Sequence, residues 1–181
     1  MPKCCVTVAV GTLLRVWEDR LACLLAVPTR PRILVPCERL PVQHETSPSA
    51  VTLIRAAQLS ETAEYAYAAT APAGSRLIFL AGSCPLEADG STAAVGDYAG
   101  QAAQCVVNLG TALAAAGASL TDVISTRVLV ATTSQADLVA AWEVMRDAFG
   151  DHDAPSTLLG VTVLGYDHQL VEIEAVAAVR D

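Results

Sequence analysis

The chain has 181 residues and a formal net charge of −8 at pH 7, with 53% hydrophobic and 17% charged residues. This length and composition are typical of one folded, soluble domain with a sizeable core, and they exclude a disordered chain. The net charge also argues against a nucleic acid as the partner, because an acidic chain without a basic stripe cannot replace the counterions of a phosphate backbone.

The first 48 residues differ in character from the rest. They hold six basic and four acidic residues, whereas residues 49–181 hold five basic and fifteen acidic residues and no lysine. Four of the six cysteines also lie in residues 1–48. We therefore predict two segments, an atypical one at 1–48 and a folded domain at 49–181.

Residues 1–48 show no clear organisation. Their apolar run, 4–14, is too short to span a bilayer, and no small-residue cleavage site follows it. We expect a poorly structured extension, translated from upstream of a natural start, with a targeting segment as the alternative. The cysteines form no CxxC pair with a matching histidine, so we expect no metal site, reduced cysteines, a cytoplasmic protein and no membrane partner.

The domain begins with three predicted strands at 49–57, 63–71 and 76–82, where apolar residues alternate or run continuously. Residues 84–92 have the proline and Asp-Gly content of a loop. Asp97 then caps a helix that ends at Ala116 before Gly117.

A strand at 122–131 follows, with Ile124, Thr126, Val128 and Val130 predicted on one face. Ser134 and Asp137 resemble a capping box for a second helix. The buried stripe of that helix is predicted to consist of Leu138, Trp142, Met145 and Phe149. Two final strands are predicted at 156–164 and 170–179.

The order β-β-β-α-β-α-β-β predicts an α+β domain, in which two helices cover one face of a mixed sheet. The strands also carry apolar residues on the other face, and burial against other subunits is an economical way to cover them. The sequence therefore predicts an oligomer.

Two carboxylates on the last strand are the clearest candidates for chemistry. Alternation places Glu172 and Glu174 on one face of the apolar stretch VEIEAVA. Two carboxylates there cost desolvation energy unless they take part in binding or catalysis or form ion pairs. The alternative is a solvated sheet edge or ion pairs with Arg127 or Arg180. The histidines have no ligand spacing, and Cys84 has neither a nucleophile elbow nor an evident histidine partner, so we expect both types to be structural or exposed. No glycine-rich phosphate loop is present.

Together, residues 50–180 resemble the RidA (YjgF) family of enamine/imine deaminases. The resemblance is carried, in chain order, by AEYAYA, RLIFLAGSCPLEADG, QAAQCVVNLGTALAAAGASLTDV, APSTLLGV and VEIEAVA. It implies a chorismate-mutase-like fold and a homotrimer, with a small-molecule substrate bound in clefts between subunits and no cofactor. Residues 1–48 have no counterpart.

The resemblance also implies roles for individual residues. Glu172 matches the family carboxylate that orients or activates the attacking water. Tyr65 matches a tyrosine of the cleft, and Ala81, Gly82 and Ser83 match the turn whose backbone borders the substrate. Two positions depart from the family: Ser156 stands where deaminating members carry a substrate-gripping arginine, and Trp142 where they carry an asparagine.

The loss of that arginine is a large physical change, because an arginine–carboxylate pair contributes about 1.5–3 kcal/mol. Its absence should weaken the binding of anionic substrates by about ten- to several-hundred-fold. We expect a more neutral or apolar cleft, with Arg127 as a possible replacement cation. Two functions stay open: hydrolysis of a small enamine or imine, or non-catalytic ligand binding on the same scaffold. Hydrolysis of another small amide or ester is a weaker third, since no nucleophile with a base is evident.

Overall fold

The computed structural model describes residues 49–60, 62 and 64–180. The predicted extension at 1–48, with its four cysteines and His44, lies outside these residues. The described elements follow the predicted order: β1 (Thr52–Ile54), β2 (Ala68–Thr70), β3 (Arg76–Phe79), α1 (Tyr98–Ala115), β4 (Val123–Ala131), α2 (Gln135–Phe149), β5 (Ser156–Val161) and β6 (Val171–Val179).

Four of these strands form one sheet in the order β3-β6-β4-β5. Strands β4 and β5 are parallel, with α2 as their crossover, and the other pairs are antiparallel. Strands β1 and β2 pair only with each other, over three residues each, so they form a separate ribbon that is shorter than the sequence pattern suggested. The mixed sheet and two helices confirm the predicted α+β architecture.

Both helices pack on one face of the four-stranded sheet. The core is mainly aliphatic, and every second residue of β6 from Val171 to Ala177 contributes to it. On α1, Leu109 and Leu113 are fully buried. The predicted ends of α1 are confirmed: Asp97 accepts a hydrogen bond from the backbone of Gly100, and Gly117 adopts the left-handed conformation that ends helices.

Two local predictions were wrong in part, although Thr126, Val128 and Val130 are buried on one face of β4 as predicted. Ser134 is the N-cap of α2 but caps with no side-chain bond; instead the Thr132 hydroxyl accepts from the Ser134 backbone and donates to Asp137. On β4, an irregularity between Val123 and Ser125 shifts the alternation, so Val123 is fully buried and Ile124 only partly.

The second face of the sheet has no helix against it among the described residues, and it exposes apolar side chains. Phe79 is 76% exposed, Leu77 51% and Leu159 43%. Strand alternation places Glu172 and Glu174 on this same face. No described helix is both long and apolar enough to cross a membrane.

Candidate active site at Glu172

The two carboxylates of β6 have different surroundings. Glu174 lies 3.4 Å from the guanidinium of Arg127, and the side chains of Arg127 and Glu174 are 66% and 43% exposed to solvent. This pair is one of the alternatives that the sequence left open, and such exposed pairs contribute little to stability. Arg127 therefore forms an ion pair with Glu174 and not with Glu172.

Glu172 is held by polar groups on one of its two oxygens. Its Oε2 accepts a hydrogen bond from Gln169 Nε2 at 3.0 Å, and Cys84 Sγ donates to the same oxygen at 3.6 Å. Its Oε1 lies against the backbone of Gly82: a Cβ added there would be 1.9 Å from this oxygen. A larger residue at position 82 would therefore force the Glu172 carboxylate out of its position.

The loop that carries Gly82 and Cys84 is fixed from two sides. Ser83 exchanges two backbone hydrogen bonds with Ile173, which places the loop beside β6. Asn108 of α1 donates from Nδ2 to the carbonyls of Cys84 and Leu86, at 2.8 and 2.9 Å. Two independent anchors thus set the distance between Gly82 and Glu172.

Beside this loop lies an open cleft of about 430 Å³. Its lining includes the predicted turn of Ala81, Gly82 and Ser83, together with Asn108 and Tyr166. Within the described part of the chain, the lining carries no charged side chain. Gly82 thus lies between this uncharged cleft and the Glu172 carboxylate.

The Cys84 thiol is a weak donor to Glu172 rather than a ready nucleophile. Burial raises its pKa above the ordinary value, and the charge of Glu172 and the hydrogen bond to its carboxylate raise the pKa further. At neutral pH the thiol therefore stays protonated, and protonated thiols are poor nucleophiles.

This arrangement makes Cys84 a reporter of the charge on Glu172. In Glu172→Gln two causes of the raised pKa disappear and burial remains, so the thiol should ionise at lower pH. We expect the midpoint of Cys84 alkylation by iodoacetamide to move to lower pH, as measured by peptide mass spectrometry across pH 7–11. Glu174→Gln is the matched control, and an unchanged midpoint in Glu172→Gln would contradict the contact.

The remaining predicted residues lie elsewhere in the chain. Ser156 accepts a hydrogen bond from Thr126 at 2.8 Å, and Thr126 is buried on the helix-covered face, so Ser156 lies on the opposite face of the sheet from Glu172. Ser156, Tyr65 and Arg127 border a second cavity of about 370 Å³. Trp142 packs edge-on against Tyr65, with ring centroids 5.7 Å apart.

The site residues of one chain thus form two groups. In the first group, Gly82, Cys84 and Gln169 surround Glu172. Gln169 was not predicted from the sequence. The second group contains Tyr65, Arg127, Trp142 and Ser156. Asn108 was also not singled out, although the amide side chains of Gln101, Gln104 and Asn108 recur at helical spacing on α1 and were a signal for it.

Comparison with known proteins identifies the family. The family model described as Endoribonuclease L-PSP matches residues 56–179, about two thirds of the chain. The chain belongs to this family, which is the RidA (YjgF) family. The resemblance drawn from the sequence motifs is therefore confirmed.

Solved structures of the family have the same fold. YyfB of Yersinia pestis, a protein of unknown function of the conserved Rid family, is 28% identical, with a TM-score of 0.66; the match covers 72% of this chain and 99% of that protein. The yeast protein YEO7 is 25% identical, with a TM-score of 0.53, and the match covers 72% and 99% of the two chains. No curated protein matches the chain significantly.

Proposed function

We propose that this protein hydrolyses a small reactive enamine or imine, with Glu172 activating water beside the uncharged cleft. The observation that supports the proposal is the different surroundings of the two oxygens of the Glu172 carboxylate. One oxygen is held by Gln169 and Cys84, and the other faces Gly82, a residue that lines the cleft. A fixed carboxylate with one oxygen available is suited to general-base work.

The proposed reaction needs no cofactor or metal. An enamine first takes a proton on carbon to become the iminium ion. Water then adds to the iminium carbon while Glu172 Oε1 accepts a proton from that water, which gives a neutral carbinolamine. The carbinolamine nitrogen takes up this proton, and the C–N bond breaks as the hydroxyl group loses its proton to the departing ammonia. The sum is iminium ion plus water to carbonyl compound plus ammonium ion.

We also propose that the working unit is a homotrimer with the sites between subunits. The exposed apolar side chains of the open sheet face, Phe79 foremost, support burial against other copies. The division of the site residues into two groups supports it further, since a neighbouring copy would supply the second group to the first. Sedimentation equilibrium should report three chains per particle, and a stable monomer would remove the intersubunit cleft.

The substrate we propose is neutral. Ser156 supplies no positive charge, its hydroxyl is bonded to Thr126, and Arg127 is paired with Glu174. RNA, which the family description would suggest, is less well supported, because residues 49–181 carry a net charge of −10 and phosphate binding requires basic residues.

A matched pair of substrates tests this specificity. 2-Aminoacrylate and its methyl ester share the reacting atoms but differ in charge, and each can be generated in the cuvette by β-elimination from a serine precursor. We expect the protein to accelerate ammonium release from the ester at least about tenfold more than from the acid, because Ser156 supplies no cation and Arg127 is already paired with Glu174. A preference for the acid would contradict the neutral-substrate proposal.

A second candidate function is non-catalytic binding of a small molecule on the same trimer. The observation that favours it is that Ser156 and Trp142, the two departures from the family pattern, have partners inside their own chain. The two candidates differ in their response to Glu172→Gln. A turnover that this substitution abolishes would exclude the non-catalytic function.

A further inference from the structure

Gln169, in the turn before β6, donates a hydrogen bond to the Glu172 carboxylate. Its side chain is almost fully buried, at 5% exposure, although glutamine is usually exposed. Buried amides persist where every polar atom has a partner. Its partners are therefore informative about what the residue does.

The chemistry of those partners fixes which end of the amide faces Glu172. The Gln169 Oε1 atom accepts a hydrogen bond from the backbone N–H of Tyr166 at 3.0 Å. The Nε2 atom donates to the Val171 carbonyl at 3.2 Å and to Glu172 Oε2 at 3.0 Å. A flipped amide would place oxygen against two acceptors and nitrogen against a donor, so only one orientation satisfies these contacts.

A second buried glutamine holds the backbone on both sides of Gln169. Gln101 of α1, fully buried, donates from Nε2 to the His168 carbonyl at 2.8 Å and accepts from the Leu170 N–H at 2.7 Å. His168 itself adopts a left-handed conformation, with φ of 62°, which non-glycine residues rarely occupy. The turn is thus held in a conformation that the chain would not favour alone.

We propose that Gln169 is the positioning residue of this site: its amide holds Glu172 Oε2, so that Oε1 is the oxygen that takes the proton from water. The inference rests on the proposed hydrolytic function. It assigns different roles to the two oxygens. Among the described residues, the hydrogen bonds to this carboxylate all end on Oε2, while Oε1 lies against Gly82.

The test uses Gln169→Met, which keeps the length of the side chain and removes the amide. Crystal structures of the wild type and the variant give the direct readout. We expect the Glu172 carboxylate to rotate away from the position that it occupies in the wild type. An unchanged carboxylate would overturn the proposal, whatever the activity of the protein.

Kinetics with the 2-aminoacrylate methyl ester give the second readout. We expect kcat to fall about 10- to 100-fold with KM within about threefold, as for a misplaced catalytic group. In a Glu172→Gln background the same substitution should change the residual rate by less than about twofold, because the carboxylate that it orients is absent. An equal loss in both backgrounds would indicate a merely structural role and overturn the proposal.

Two further variants keep these outcomes distinguishable. Gln135→Met, at the exposed start of α2, is the control for the substitution itself and should leave the rate unchanged. Gln169→Asn, whose amide is one methylene too short to reach both Tyr166 and Glu172, replaces Gln169→Met if that variant does not fold. If the wild type shows no turnover, the hydrolytic function fails, and the crystal structures alone decide the positioning role.

Discussion

Glu172→Gln is expected to lower the rate of imine hydrolysis by about 10²- to 10⁴-fold, because a glutamine of the same shape cannot accept a proton from water. The loss should appear in kcat, measured as ammonium release from the methyl ester of 2-aminoacrylate under saturating conditions. The fold should be unaffected, since the carboxylate lies on the face of β6 opposite the core.

Glu174→Gln is the matched control for this result. It removes the same charge from the same strand face two residues away, where the carboxylate contacts only the exposed Arg127 among the described side chains. We expect its rate to stay within about twofold of the wild type, as for exposed ion pairs generally. Equal losses in both variants would mean that net charge, not the Glu172 carboxylate, governs the rate.

Gly82→Ala is expected to reduce the rate by about 100-fold, with the protein still folded. The added methyl group would lie 1.9 Å from Glu172 Oε1 and 2.6 Å from Cδ, so the carboxylate must move. Moving a catalytic group by about 1 Å can reduce the rate by about 100-fold. The crowding should also lower the free energy of unfolding by about 1–3 kcal/mol, measured by urea denaturation.

A glycine-to-alanine substitution away from Glu172 is the control for the losses of rate and of stability in Gly82→Ala. At Gly110, in the middle of α1, a new Cβ meets no heavy atom within 4 Å. Gly110→Ala should therefore leave the rate unchanged and stabilise the helix by about 0.5–1 kcal/mol. A fully active Gly82→Ala variant would show that Oε1 does not need its observed position.

Much of the fold was readable from the sequence because local signals agree with the final packing. Asp97 and Gly117 mark the ends of α1, and the alternation of VEIEAVA places Glu172 and Glu174 away from the core. These features depend on residues close in sequence. They sufficed for the architecture and for one carboxylate of the site.

The rest depends on contacts that no local pattern encodes. Gly82 and Glu172 are 90 positions apart, and they meet only because β3 pairs with β6 in one register. The contact of Gln169 with Glu172 needs the left-handed turn at His168. The face on which Ser156 lies follows from its pairing with Thr126, since a shift of one residue would reverse it.

We propose that the site at Glu172 hydrolyses a neutral imine. The most direct measurement is the initial rate of ammonium release from freshly generated 2-aminoacrylate methyl ester, with and without the protein. We expect a rate above that of buffer that rises in proportion to protein concentration. A rate equal to that of buffer at micromolar protein would contradict it.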